Sequence, residues 1–199
     1  MLQLKLGFLA SHGGSNMQAI IDSCKNGTLN AVPACVVSNN SNSGALERAK
    51  KENIPNYHIS SVQYANQEEI DSAIIEVFEK HEVNIVILAG YMKKLGEKVI
   101  RHFKGHVLNI HPALLPKYGG KGMYGNFVHS AVLKAGEKFS GPTVHVVDEH
   151  YDKGRILAQK QVPVYPDDTI ETLAERVLEQ EHIIFSETLQ KIALGEIEL

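Results

Sequence analysis

The chain has 199 residues, 43% of them hydrophobic, with a formal net charge of -3. That is material for one packed domain, or two small ones, and the mild acidic balance excludes a basic nucleic-acid surface. No apolar run of about 18 residues exists to cross a membrane, and the two cysteines, Cys24 and Cys35, form no CxxC pair that would indicate a metal site or a disulfide framework.

The first element is the continuous apolar run over 4–10, a strand and not a leader peptide, which ends in Ser11-His12-Gly13-Gly14-Ser15-Asn16. Helical spacing follows over 16–25, where Met17, Ile20, Ile21 and Cys24 share one side. A buried strand covers 31–38, a helix 44–53 is stopped by Pro55, and a short strand covers 57–59. The helix over 67–81 places Ile70, Ile74, Ile75 and Phe78 together; a fully buried strand over 83–89, a short helix over 97–103 and a strand over 106–110 complete the alternation. Past 117 a glycine-rich loop, KYGGKGMYGN, leads to a helix over 127–135. Two strands, 142–147 and 155–164, joined around DEHYDKG, read as antiparallel, and a long helix over 169–194 closes the chain. The fold class is therefore α/β: a doubly wound, mostly parallel sheet with helices on both faces and an antiparallel C-terminal strand region. No linker divides it, so 1–199 is expected to be a single domain with a phosphate-binding half over about 1–105 and a catalytic half over about 106–199. Such sheets bind ligands at the carboxyl ends of their strands, which lines up SHGGSN, GYMKK and NIHP along one edge.

The loop 11–16 stands between a strand and a helix. Its glycines let backbone N–H groups approach a ligand, the helix adds the positive end of its dipole, and Ser15 and Asn16 add side-chain donors. A phosphate suits it; the plainer alternative is a glycine turn capped by Ser15. Neither GxxxxGK[ST] nor GxGxxG is present, and no acid lies between Asp22 and Glu47 to hold a ribose, so a sugar monophosphate fits better than a dinucleotide. At the end of the strand over 106–110, Asn109 and His111 can donate to an oxyanion, and the histidine can carry a proton. A carboxylate would orient it; Asp148, Glu149 and Asp152 are the candidates. With no nucleophile elbow such as GxSxG, the set suits direct acyl transfer between bound substrates.

Asn109-Ile110-His111-Pro112 followed by Leu114-Leu115-Pro116-Lys117-Tyr118 resembles the signature of folate-dependent formyltransferases. Gly14-Ser15-Asn16-Met17-Gln18-Ala19-Ile20 is similar to the branch that acts on glycinamide ribonucleotide. Leu88-Ala89-Gly90-Tyr91-Met92, Thr143-Val144-His145-Val146-Val147, Tyr151-Asp152-Lys153-Gly154 and Gln180-Glu181-His182 extend the match, in order, over almost the whole chain. The resemblance implies that the amine of 5-phosphoribosylglycinamide attacks the formyl carbon of 10-formyltetrahydrofolate, in purine biosynthesis. It implies Asn109 and His111 at the oxyanion, His111 passing a proton to the folate N10, and Asp152 paired with the histidine. Gly14, Ser15 and Asn16 would hold the phosphate and Glu181 the glycinamide end, although Glu181 also fits an exposed place on an amphipathic helix. The folate would rest on Met92, Lys93, Lys94 and Leu95, largely through backbone groups, with Asn109 beside it and Asp148, Glu149, His150, Tyr151 and Asp152 closing over it. No metal is called for; the partners are the two small molecules, no nucleic acid and no membrane, in a cytoplasmic monomer or homodimer.

The chain departs from the family pattern in places. Residues 52–79 hold no Lys or Arg where the family often has an arginine, and Lys121 is the candidate substitute. GGKGMYGNF is longer than the common form and keeps only His129 of two closely spaced histidines, with Phe127 at the other position; His12 replaces a glycine. Formyltetrahydrofolate hydrolase is the nearest alternative, set aside because the first strand is taken to start at residue 2, without the hydrolase's N-terminal domain. A methionyl-tRNA formyltransferase would continue beyond Leu199, and a non-catalytic sugar-phosphate binder would not need Asn109, His111 and Asp152 together.

Overall fold

The computed structural model describes residues 3–199, so a strand start at residue 2 lies outside the described residues. The chain runs β1 (Leu4–Ala10), α1 (Ser15–Lys25), β2 (Ala31–Ser38), α2 (Gly44–Lys51), β3 (Asn56–His58), α3 (Gln67–Lys80), β4 (Ile85–Leu88), α4 (Glu97–His102) and β5 (Val107–His111). It continues with α5 (Asn126–Lys134), β6 (Phe139–Ser140), β7 (Thr143–Val146), β8 (Ile156–Gln159), β9 (Val162–Pro163) and α6 (Ile170–Leu194). Local chemistry sets the helix starts. Asn66 accepts from the Glu69 N–H at the head of α3, where Glu68 and Glu69 complement the dipole, and Thr169 and Thr172 form a reciprocal capping box on α6.

The main sheet has the order β3-β2-β1-β4-β5-β7-β8. β3 through β5 are parallel, whereas β7 runs antiparallel to β5 and β8 to β7. The chain winds outward from β1 in one direction, then returns to add β4 and β5 on the other side. The switch falls between β1 and β4, where a doubly wound sheet opens its crevice. Both faces are covered. Leu6, Phe8, Ile87 and Leu108 pack under α1, α2 and α6, whose Ile20, Leu46 and Phe185 are buried; Leu9, Val37 and Val86 pack under α3 and α4 through Ile74, Phe78 and Val99. Each such fully buried side chain contributes about 1.5–3 kcal/mol. Among the described residues, no helix is long and apolar enough to cross a membrane.

One expected element splits. The strand read over 155–164 ends at Gln159, and Val162 and Pro163 pair instead with Phe139 and Ser140 in a separate two-stranded sheet. Gly141 is the cause: its φ is +136°, and its α-carbon lies so close to the Lys160 carbonyl that a Cβ would sit 1.8 Å from that oxygen. Val162 then joins Val132, Leu173 and Val177 in a small apolar cluster between β9, α5 and α6.

The alternation along β5 prepares its polar end. Leu108 and Ile110 enter the layer beneath α1 and α6, while Val107, Asn109 and His111 face the other side of the sheet. Val107 is still core; two and four residues later the same face has become amide and imidazole.

Candidate active site

The antiparallel register builds the first cluster. Asn109 lies opposite His145 and His111 opposite Thr143, so four polar side chains share one face. The Asn109 amide nitrogen lies 3.1 Å from His145 Nε2, and His145 Nδ1 donates to the Val146 carbonyl at 2.9 Å. His111 is the last residue of β5, not the first of a loop, and is 3% exposed. Its Nε2 donates to the Tyr118 carbonyl at 2.7 Å.

Asp152 completes the cluster. One of its oxygens lies 3.6 Å from His111 Nδ1 and the other 3.6 Å from His145 Nε2. These are ion-pair separations, just longer than hydrogen bonds. The Gly120 N–H donates to the carboxylate at 2.8 Å. Burial alone would raise the Asp152 pKa, but the His145 ring, the Gly120 N–H and His111 together hold it below the usual carboxylate range. Burial depresses the His111 pKa, with Asp152 and the Tyr118 carbonyl opposing and His145 adding to the depression. Of the three candidate carboxylates, Asp152 is therefore the one gathered to the histidine. Glu149, His150 and Tyr151 are exposed on the same loop, where Asp148 accepts from the His150 N–H at 2.8 Å.

The loop after His111 is braced from beneath. Thr143 Oγ1 donates to the Ala113 carbonyl at 2.6 Å and accepts from the Leu115 N–H at 3.1 Å. Gln159 donates to both the Leu115 carbonyl and Thr143 Oγ1 at 2.9 Å. Gly119 packs tightly there: a Cβ would lie 2.6 Å from the Leu115 side chain and 3.2 Å from that of Asp152, so any larger residue has to displace them.

At the β1 end, Gly14 and not Ser15 is the residue before the helix. Its φ is +69°, Ser15 is already helical, and no side-chain cap forms there among the described residues. The capped-turn alternative therefore fails. Asn16, in the first turn of α1, donates to Glu181 of α6 at 2.6 Å. Glu181 is 8% exposed, which rules out the exposed amphipathic placement; burial pushes its carboxyl up to about 7 against the opposing Asn16 bond. Ser11 links neighbouring strand ends, donating to Asn39 at 2.6 Å and accepting from the Met92 N–H at 2.8 Å. Met92, Lys93 and Lys94 are exposed, and Leu95 is core beneath α3 and α4.

The loop ends of β1, β4 and β5 thus lie along one edge, with β4 between the other two. Two strand spacings separate the Gly14–Asn16 corner from the Asn109–His111 corner, roughly 10 Å. A groove of about 500 Å³ beside Lys94, Leu95, Lys98 and Arg101 includes none of the residues at either corner, so the polar geometry and not this groove defines the site. Lys121 and His12 are exposed, and Phe127 stacks edge-on against Tyr124 at 5.3 Å. His129 is buried, with a depressed pKa from burial and from His111. Burial lifts the Cys24 and Cys35 thiols to about 11 and 12, so neither is a thiolate near neutral pH. Among the described residues, no group of three or more His, Cys, Asp or Glu is arranged to hold a metal.

His145 is the residue that sequence reasoning left without a role. Its signal was there: a histidine inside a short strand whose other members alternate into the core, in register with a polar residue on the adjacent strand.

An α/β sheet with an Asn-x-His strand end and an aspartate folded back onto it defines a class, and the chain belongs to the formyl transferase family, whose model matches residues 4–189. Within it, the chain is 39% identical over 195 residues to a phosphoribosylglycinamide formyltransferase of Haemophilus influenzae, covering 98% of this chain and 90% of that one. It is 43% identical over 188 residues to a chloroplastic phosphoribosylglycinamide formyltransferase of Vigna unguiculata, covering 94% of this chain but 60% of the relative. The crystal structure of glycinamide ribonucleotide transformylase 1 from Symbiobacterium toebii superposes with a TM-score of 0.92 at 34% identity, over 99% of this chain and 91% of that chain.

Proposed function

We propose that this chain transfers the formyl group of 10-formyltetrahydrofolate to the amine of 5-phosphoribosylglycinamide. The observation that carries it is the cluster at the end of β5: an amide and an imidazole on one face, with a carboxylate 3.6 Å from the ring. The substrate amine attacks the formyl carbon, the carbonyl becomes an oxyanion, and the bond from that carbon to folate N10 breaks as N10 gains a proton and the amine loses one. The Asn109 amide nitrogen, beside His145 Nε2, has an N–H for the oxyanion. His111 as imidazolium supplies the charge-assisted donor, with Asp152 favouring that form against the burial that opposes it. In the resting arrangement the Tyr118 carbonyl takes the Nε2–H. Substrate exchanges that neutral acceptor for an anionic one.

Gly14, Ser15 and Asn16 receive the phosphate, and Glu181, held by Asn16, receives the amine-bearing end. Met92, Lys93, Lys94 and Leu95 take the folate with Asp148, Glu149, His150 and Tyr151 as its cover. Residues up to about 105 and from about 106 then act as the phosphate half and the catalytic half of one domain, as a cytoplasmic monomer or homodimer. No step calls for a metal.

The test follows folate product by absorbance, with 10-formyltetrahydrofolate alone and then with 5-phosphoribosylglycinamide. Product only when both are present is expected. Product from the folate alone would make the chain a hydrolase, and no product in either case would overturn the proposal.

A further inference from the structure

The anion cradle is shaped by a helix that does not belong to it. The His12 carbonyl accepts from the Ala45 N–H at 2.9 Å, and the Gly13 carbonyl accepts from Arg48 Nε at 2.8 Å; both donors lie on α2. In a trans peptide the C=O and the following N–H point to opposite sides. The 12–13 and 13–14 peptides therefore turn their oxygens toward α2 and the Gly13 and Gly14 N–H groups away from it. Among the described residues, the N–H groups of Gly13, Gly14, Ser15 and Asn16 have no protein acceptor. α2 sits directly on the loop: a Cβ on Gly44 would lie 3.2 Å from Gly13, and one on Gly14 would lie 2.9 Å from Ala45.

A glycine pair has little barrier to turning the peptide between its members. A flipped 13–14 plane would aim a carbonyl oxygen at an anion where an N–H should stand. We propose that Arg48 is a positioning residue for phosphate recognition: its Nε–H grips the Gly13 carbonyl and holds the 13–14 peptide with its N–H toward the ligand. The guanidinium also brings a fixed positive charge beside the cradle, in a chain whose 52–79 segment supplies none. Gln18, whose carbonyl lies 3.5 Å from Arg48 Nη1 and whose amide donates to Glu52, steadies the arginine from α1. This inference rests on the sugar-phosphate reading above.

Steady-state kinetics of Arg48→Met with 5-phosphoribosylglycinamide and with its dephosphorylated riboside test it. The ratio of kcat/KM for the two substrates measures what the phosphate contributes. That ratio should fall about tenfold or more, through KM for the phosphorylated substrate, and Arg48→Lys, which keeps a charged donor, should recover most of it. Should Arg48→Met fail to fold, Arg48→Gln carries the same measurement. A wild-type ratio in the variants, or an equal loss of kcat on both substrates, would overturn the role. A wild-type enzyme indifferent to the phosphate would instead refute the phosphate-loop reading itself.

Discussion

Glu181→Gln separates the electrostatic cost of a buried carboxylate from its packing. Glu181 is 8% exposed and its carboxyl pKa rises from 4.5 to about 7, chiefly through burial. Between those values the native state keeps a proton that the unfolded chain has released, so stability falls as pH rises and levels off above 7. The displacement corresponds to about 3 kcal/mol in all, most of it lost between roughly pH 5 and pH 8. For a chain of this length that is about 5–10 °C in Tm. Glutamine keeps the shape and the acceptor for the Asn16 amide but cannot ionise, so the variant should lack this component. Thermal denaturation of both proteins near pH 5 and pH 8, in the same salt, gives the difference directly, because every other titrating group cancels. Parallel changes in the two proteins would refute the assignment of the cost to Glu181. A bound ammonium would favour the ionised carboxylate, so the wild type should also tighten on its amine substrate as pH rises toward 7, and the variant should not.

His111→Asn should lower kcat by about 10²- to 10⁴-fold while ligand affinity is largely retained; turnover within a few-fold of wild type would remove the histidine from the chemistry. Asp152→Asn removes the charge that holds the His111 pKa up against burial. If the imidazolium is the active form, the basic limb of the pH–rate profile should move to lower pH, and an unmoved limb would exclude that form. Gly96→Ala should destabilise the fold by about 3 kcal/mol, because a Cβ there would stand 1.9 Å from both carboxylate oxygens of buried Asp71, one of which accepts from the Lys98 N–H at the head of α4. Chemical denaturation with an unchanged midpoint would count against it.

Asn109, His111 and the glycine loop were readable because they break a pattern: polar or flexible residues appear where a buried strand should continue or end. The doubly wound sheet was readable for the same reason, since each strand is a short apolar run between helical periodicities. Arg48 was not, because on α2 it is one basic residue among several near a helix end, and its function depends on where the Gly13 carbonyl points. The split of the strand over 155–164 was equally hidden: the residue that forces it is Gly141, on another segment. Choosing Asp152 over Asp148 and Glu149 needed the resemblance, as loop residues carry no period to give their direction. What escapes a single sequence here is pairing between distant segments, not local form.

The seam between β5 and β7 also sets where this chain can gain or lose length. Side chains alternate with a period of two, so one residue inserted between 143 and 144, with Thr143 still opposite His111, would put Val144 opposite Asn109 and drive His145 into the apolar layer under α6. Insertions in 118–126 or 148–152 leave that alternation untouched. Length variation should therefore collect in the two loops around the site and be purged from the strands beneath it. The GGKGMYGNF segment, bounded by braced residues on one side and α5 on the other, is a place where such length change is tolerated.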